Sequence, residues 1–329
     1  MRTFLLSALS VAALAAAACS SSDDTETGGG GSGTTTTGAG TTTGAGTTTG
    51  TGGTGGAGTG TATPGCNQSV GTGGSSCSGA GAWGAAEVDT VNSVTATIVD
   101  LSNSPAAGIV ADVCGTNRCE NATADGSGQV SVNAAGASFD DVRLLYGDGI
   151  DWVKFAAPLP SVPDAAFGTI HAVPLPALAT SAAFVPGQDA SSGGVTLSLD
   201  ASAFVEFNTL FYCQTDEQGF RAAEIPLGGS ESFPAIDPSM NFELAYGLAP
   251  IDTKICPPAQ MTVDNDAGWT ANAEVEFFYQ GTSIFQDFAK YGDWEKVSEG
   301  TVSADGNTVQ TNSGEGIPEL GVIAIRLKP

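Results

Sequence analysis

Three patterns of apolar and polar residues follow one another along this chain of 329 residues. An uncharged apolar run covers residues 4–18, and residues 20–81 then contain almost no apolar side chain larger than alanine. From Val94 onwards short stretches alternate, with Val94, Ala96 and Ile98 separated by threonines. Strict alternation is the period of a half-buried β-strand, so the remainder of the chain is predicted to be all-β.

Two sets of such strands predict two antiparallel β-sandwich domains. The first set lies within 94–173 and shows turn signals such as Asp125-Gly126-Ser127-Gly128. A segment rich in proline and glycine, 174–194, separates it from a second set that begins at Val195. Short strands at such spacing, without a helical period, are typical of sandwiches. The predicted domains are residues 83–176 and residues 177–329.

One stretch departs from the strand pattern. Phe285 and Phe288 have helical spacing, and Gly281 and Gly292 flank them. The sequence therefore predicts one short helix over Ile284 to Tyr291.

The apolar run near the N-terminus has the features of an export signal. Arg2 precedes it, and about 15 residues are too few to cross a bilayer of ~30 Å as a helix. It ends in alanines directly before Cys19, and this ending resembles the lipobox of bacterial lipoproteins. The resemblance implies a signal peptide over residues 1–18, acyl chains such as palmitate on Cys19, and membrane contact through that lipid.

The residues around Cys19 also bear on its location. The lipoprotein family usually has leucine three residues before the cysteine, whereas this chain has Ala16 there and Leu14 two places earlier. An ordinary secretory signal, cut nearby, is therefore the alternative. Ser20 resembles the sorting signal of lipoproteins that are anchored at the outer membrane or the cell surface.

Residues 19–82 are predicted to be a disordered tether. The sequence Thr-Thr-Thr-Gly-Ala-Gly at 41–46 has near-copies on both sides, and such a segment buries too little apolar surface to offset its ordering entropy. About 60 residues of glycine-rich coil span roughly 40–45 Å. The threonines could alternatively carry glycans, as in mucin-like stalks.

The first domain resembles the carboxypeptidase regulatory-like, or transthyretin-like, family. The resemblance rests on the strand at 94–100, on Pro105-Ala106-Ala107-Gly108-Ile109-Val110, and on Thr123-Ala124-Asp125-Gly126-Ser127-Gly128-Gln129-Val130. It covers about 80 residues. Members are mostly accessory or binding modules of surface proteins, so the resemblance implies no catalytic residues.

The last part of the chain resembles a ZU5-like β-sandwich of multidomain bacterial surface proteins. The resemblance rests on the tryptophan strand at 294–300, on Val302-Ser303-Ala304-Asp305-Gly306, and on Gly316-Ile317-Pro318-Glu319-Leu320-Gly321. It covers about 40 residues. It implies a structural or interaction module.

The charge of the chain excludes one class of partner. Aspartate and glutamate total 35 against 10 lysines and arginines, which gives a formal net charge of −25. Such a chain repels phosphate backbones and anionic membrane surfaces, so no nucleic-acid binding is predicted. Solubility explains most of this charge, and cation binding is the alternative.

The cysteines predict covalent cross-links. Setting Cys19 aside leaves six, an even number that predicts three disulfides in an exported protein: Cys66, Cys77, Cys114, Cys119, Cys213 and Cys256. Sequence neighbours suggest the pairs Cys66–Cys77, Cys114–Cys119 and Cys213–Cys256. No C-x-x-C pair and a single histidine leave almost no material for zinc, so no metal site and no cofactor are predicted.

Candidate catalytic residues are few, and none is assigned a catalytic role. His171 is the only histidine, it lies in a predicted strand, and no nucleophile motif accompanies it. The pairs Asp148 with Asp151 and Asp140 with Asp141 lie near Trp152 and Tyr146, an arrangement that glycosidases and glycan-binding sites use. Turn chemistry explains these acidic clusters equally well.

Two further features have both a functional and a structural explanation. Asp264, Asn265 and Asp266 offer oxygens as calcium loops do, but the segment lacks the glycine and closing glutamate of an EF-hand. Tryptophans can anchor interfaces, yet Trp294 is predicted to be buried in a sandwich core.

Together these features predict a membrane-anchored, exported lipoprotein that acts as a non-enzymatic binding, adhesion or structural module. Its possible ligands are glycans or protein surfaces. The alternative is a carbohydrate- or calcium-dependent recognition protein, and a glycoside hydrolase ranks third.

Overall fold

The computed structural model describes residues 69–71, 77, 87–160, 162–209, 211–284 and 286–329. The predicted signal peptide, Cys19, Cys66 and nearly all of the predicted tether lie outside these residues. All described residues belong to one compact unit, Thr59–Pro329. No helix within the described ranges is both long and apolar enough to cross a membrane.

The described residues form strands joined by turns, which confirms the prediction of an all-β fold. Two short 3-10 helices, Leu178–Thr180 and Pro238–Met240, interrupt the strands. The strands are β1 (Ser69–Val70), β2 (Val88–Val99), β3 (Val110–Cys114), β4 (Cys119–Thr123), β5 (Gln129–Asp140), β6 (Arg143–Tyr146), β7 (Phe155–Pro158), β8 (Asp164–His171), β9 (Asp189–Ser192), β10 (Val195–Ser198), β11 (Phe204–Glu206), β12 (Arg221–Glu224), β13 (Leu244–Ala249), β14 (Lys254–Asp264), β15 (Glu274–Gln280), β16 (Trp294–Val302), β17 (Thr308–Thr311), β18 (Ile317–Glu319) and β19 (Val322–Leu327).

A three-stranded sheet in the order β5-β2-β8 carries the first predicted alternation. Val94, Ala96 and Ile98 are buried, whereas Thr95 is exposed, as the period of two predicts. β5 pairs with β2 antiparallel, but β8 pairs with β2 in parallel, which departs from the purely antiparallel prediction. Parallel neighbours need a crossover, and β6 and β7, which lie in the other sheet, provide it.

A four-stranded sheet in the order β4-β3-β6-β7 faces the first sheet across a common core. Large buried side chains from both sheets fill this core, among them Ile98, Phe139, Tyr146 and Phe155. The disulfide Cys114–Cys119 closes the hairpin of β3 and β4, as predicted.

The remaining strands build one large, curled antiparallel sheet. Its strand order is β1-β11-β14-β17-β16-β15-β19-β13-β12. In addition, β10 and β18 each pair with β14, and β9 pairs with β10. β13 and residues 322–325 of β19 are buried throughout, because both faces of the sheet are covered there. A second core lies against this sheet and includes Leu197, Phe220 and Phe277.

The two predicted domains contribute to one hydrophobic cluster. Ile225, Phe233, Ala245, Val322 and Ala324 pack into the same cluster as the sandwich of β2 to β8. Segments on both sides of residue 176 therefore share a core, and the division into two domains at that residue stays a prediction.

The predicted helix over Ile284 to Tyr291 is wrong. Among its described residues, all but Phe285, none is helical. Gln286 accounts for the difference, because its Oε1 accepts the N–H groups of Thr282 and Ser283 and so fixes a turn in place of a helical start.

Two of the predicted disulfides are wrong. Cys77 is bonded to Cys256 at a Cα–Cα distance of 5.6 Å and a sequence separation of 179. This excludes both Cys66–Cys77 and Cys213–Cys256, although Cys213 is itself disulfide-bonded. The cause is long-range pairing, because β1 lies on β11 and β11 lies on β14 beside Cys256.

Candidate binding groove

His171 is a structural residue at the end of β8. It is 4% exposed, and the backbone N–H of Ser232 donates to its Nδ1 at 2.9 Å. Its Nε2 therefore carries the proton and donates to Asn103 Oδ1 at 3.1 Å. Both ring nitrogens are occupied, so neither is free to serve a nucleophile.

The acidic pairs that suggested sugar chemistry are used in turns. Asp148 Oδ1 accepts the backbone N–H groups of Ile150, Asp151 and Trp152 at 2.9, 2.8 and 3.0 Å. Asp141 is buried, accepts the N–H of Glu87 at 3.1 Å and lies 3.6 Å from the Lys290 ammonium. These contacts hold loops together.

The segment 264–268 is organised by an amide side chain. Asn265 Nδ2 donates to the carbonyls of Trp269 and Gly306 at 2.8 and 2.9 Å, and its Oδ1 accepts the N–H of Trp269 at 3.1 Å. In the part of the chain that the structure describes, no group of three or more His, Cys, Asp or Glu side chains is placed to hold a metal ion.

A groove of about 1100 Å³ opens where the four-stranded sheet meets the large sheet. One wall is the connection from β12 to β13, residues 226–243, which is rich in proline. The opposite wall consists of Arg143 of β6, Pro158 of β7 and residues 292–295, which comprise a turn and the first two residues of β16. Ligand sites favour such junctions, because two packed bodies leave a concave surface between them.

The connection 226–243 is fastened at two points. The N–H of His171 donates to Ser232 O at 2.9 Å, which adds to the bond from Ser232 to the ring. Farther along, Ala235 O accepts from Gln280 Nε2 at 2.8 Å and from Trp294 Nε1 at 3.0 Å. Gln280 is fully buried and also bonds Ala156 of β7. Hydrogen bonds therefore fasten this wall of the groove to the three-stranded sheet at His171 and to the large sheet at Gln280 and Trp294.

An aromatic row runs from the large sheet into the groove. Phe242 lies 4.8 Å from Trp294 and 5.3 Å from Phe278, measured between ring centroids. The Arg326 guanidinium carbon lies 4.5 Å from the Phe278 centroid. Phe242 and Trp294 are only partly buried and line the groove. The prediction of a buried Trp294 is therefore wrong, because one side of the ring packs on the core while the groove leaves the rest accessible.

The charge of the groove is acidic. Five carboxylates and one cation line it: Glu231, Asp237, Glu243, Asp293, Glu295 and Arg143. Arg143 donates from Nη1 to Val142 O at 2.9 Å, and its Nη2 lies 3.5 Å from Asp293 Oδ1. Gly292 makes room for this side chain, because a Cβ there would lie 1.8 Å from Arg143 Nε.

A second polar cluster lies inside the large sheet. Asp252 is 5% exposed and Glu319 is fully buried. Burial raises the pKa of Asp252, although Gln286 Nε2 and Asn208 Nδ2 donate to its carboxylate at 2.6 and 3.2 Å. Burial, and then the charge of Asp252, hold the pKa of Glu319 well above its usual range.

Glu319 has little compensation for its burial. Neither carboxyl oxygen meets hydrogen-bond geometry with a described residue, and the charge of Lys254 and then the Asp287 amide N–H oppose the rise in pKa without reversing it. A neutral carboxyl is the cheaper form in such surroundings. Both acids lie beneath the surface, so this cluster has a structural role.

The groove and the buried acids were both missed from the sequence. The sequence indicates the burial of Glu319 only weakly, because Glu319 is the single charge within Ile317-Pro318-Glu319-Leu320. The same holds for the buried Arg221, the single charge within Phe220-Arg221-Ala222. The signal for the groove was the spacing of Pro226, Pro234 and Pro238 in a stretch without alternation.

The chain was compared with protein-family models, with curated proteins and with solved structures, and none of the three comparisons found a match.

Proposed function

We propose that this protein is an exported, lipid-anchored binding module that holds its ligand in the groove between residues 226–243 and residues 292–295. The groove is the observation that carries the proposal. It combines accessible aromatic rings, a wall that hydrogen bonds fasten to buried residues, and charged groups, and ligand sites combine apolar surface with a few polar groups in this way.

The role is proposed to be non-enzymatic. The polar residues that suggested catalysis have structural partners: His171 bonds Ser232 and Asn103, and Asp148 closes a loop. Oligosaccharide recognition is the second candidate, and the partly exposed ring of Trp294 beside carboxylates favours it.

A ligand screen on the full-length protein in detergent tests the groove. Wild type, Phe242→Ala and Phe211→Ala are compared against arrays of oligosaccharides and peptides. Phe211 is a matched control because its ring is 44% exposed and does not line the groove. The expected result is a ligand whose affinity falls about tenfold or more in Phe242→Ala alone. Equal losses in both variants would contradict the proposal.

The anchor requires a separate measurement. Intact mass of protein purified from the membranes of its native host is expected to begin at Cys19 with added acyl chains. An unacylated chain that is cut elsewhere and found in the medium would contradict the lipid anchor. The groove could then still be tested in the secreted form.

A further inference from the structure

The carboxylates of the groove lack compensating cations. Arg143 is committed to Val142 and Asp293, so four of the five acids face the groove without a cation partner among the described residues. Asp237 accepts the N–H of Ser239, and Glu243 accepts the indole N–H of Trp269. The side-chain carboxylates of Glu231 and Glu295 have neither a hydrogen bond nor an ion pair to a described residue, although the backbone of Glu295 pairs with β15. A groove lined by acids of one sign of charge concentrates cations.

The aromatic row already holds a cation at its inner end. Arg326 lies over Phe278, and the row continues through Phe242 to Trp294 at the groove. Aromatic faces attract ammonium and guanidinium groups, and acids close by strengthen the preference. The outer rings, Phe242 and Trp294, offer the same chemistry to a ligand.

Arg143 supplies no free cation to a ligand in the groove, because its Nη atoms contact Val142 and Asp293. Its Nε is buried and has no hydrogen-bond partner among the described residues. A carboxylate-rich ligand would therefore meet the acids that line the groove without a free cation to bind it.

The geometry points to an extended basic segment of a partner protein as the occupant of the groove, with lysine or arginine side chains on Phe242 and Trp294 and their charges at Glu231 and Glu295. This inference rests on the proposed function and names its ligand class. Charge complementarity selects this occupant over an acidic peptide, and attraction of this kind weakens with salt.

Fluorescence anisotropy on the full-length protein in detergent tests the inference. The probes are a labelled nonapeptide that alternates lysine with alanine, the same peptide with glutamate, and a neutral oligosaccharide set. The groove variant is Glu231→Gln/Glu295→Gln. The matched control is Asp216→Asn/Asp266→Asn, which removes the same charge at exposed positions outside the groove. All four positions are at or near the surface, so folding is retained.

The expected result is saturable binding of the lysine peptide that weakens about fivefold in the groove variant and less than twofold in the control. Equal weakening in both variants would indicate general attraction to an acidic protein and would overturn the inference. Binding of an oligosaccharide that Phe242→Ala abolishes, with no binding of the lysine peptide, would also overturn it but leave the groove function intact. No binding by any probe overturns the inference, and failure of the wider screen would then remove the groove function.

Discussion

The pKa values of carboxyl groups shift in opposite directions in the surface turns and in the interior of the large sheet. Asp125 is exposed and Asp100 is partly exposed, and hydrogen bonds from the hydroxyl and then the backbone N–H groups of nearby residues lower the pKa of each carboxyl. Asp252 and Glu319 are buried, and burial raises the pKa of both. Turn acids are stabilised by residues two to four positions away, whereas the buried acids are placed by strands far apart in sequence.

The largest difference in stability between local and long-range contacts is expected when the two disulfides are removed separately. Replacing both Cys77 and Cys256 by alanine opens a loop with a sequence separation of 179 and should lower the free energy of unfolding by about 5 kcal/mol. The pair Cys114 and Cys119, only five residues apart, should lower it by about 2 kcal/mol. Denaturant unfolding of both double variants measures the difference. Equal losses would show that loop length does not govern the effect.

Replacing Arg221 measures how much a buried cation contributes to stability. It is 1% exposed, and its Nη1 donates to Ile150 O and to Pro176 O. Arg221→Ala should cost about 3 kcal/mol, because it leaves a cavity and two carbonyls without a donor. Arg221→Met fills most of the volume and should cost less. A larger loss in the methionine variant would contradict this account. Urea titration measures both variants.

Glu319 should give stability a slope with pH. Its folded-state pKa lies above the unfolded value, so the folded state retains its proton longer. Stability is therefore full below about pH 4.5 and falls as pH rises towards the folded-state pKa, by up to about 1.4 kcal/mol per pH unit. Glu319→Gln should flatten this slope in urea titrations at several pH values. An unchanged slope would assign the effect to other groups.

Asp125 should show the smallest effect, with the opposite sign. Its folded-state pKa lies below the ordinary 3.8, so its contribution is present above that pH and is lost as pH falls below it. Asp125→Ala should lower the melting temperature slightly at pH 7, with the difference shrinking towards pH 2. Asp125→Asn is the control, because the amide oxygen still accepts the N–H groups of Ser127 and Gln129. A loss that does not change with pH would contradict the argument.

The sequence predicts what local chemistry determines. Alternation placed Val94 and Ile98 in the core of β2, and Asp125-Gly126-Ser127-Gly128 was correctly predicted as a turn. The short disulfide Cys114–Cys119 follows from the hairpin that it closes.

The features that the sequence does not reveal depend on contacts between distant strands. Cys77 meets Cys256 only because the large sheet brings β1, β11 and β14 together. The groove depends on Gln280 and Trp294 reaching Ala235 from other elements. Phe285 and Phe288 have helical spacing, but the amide of Gln286 outweighs that weak preference.

The disulfide Cys77–Cys256 also decides how the fold carries mechanical load. Tension applied between the N-terminal end and the C-terminus passes at Cys77 through the sulfur bridge into β14, and from there to Pro329. Strands β2 to β13 lie within the bridged loop and outside this covalent path, so they share the tension only through hydrogen bonds such as those of β11 with β14 and of β13 with β19. Such tension would load the large sheet at β14, while the sandwich of β2 to β8 stays outside the covalent path.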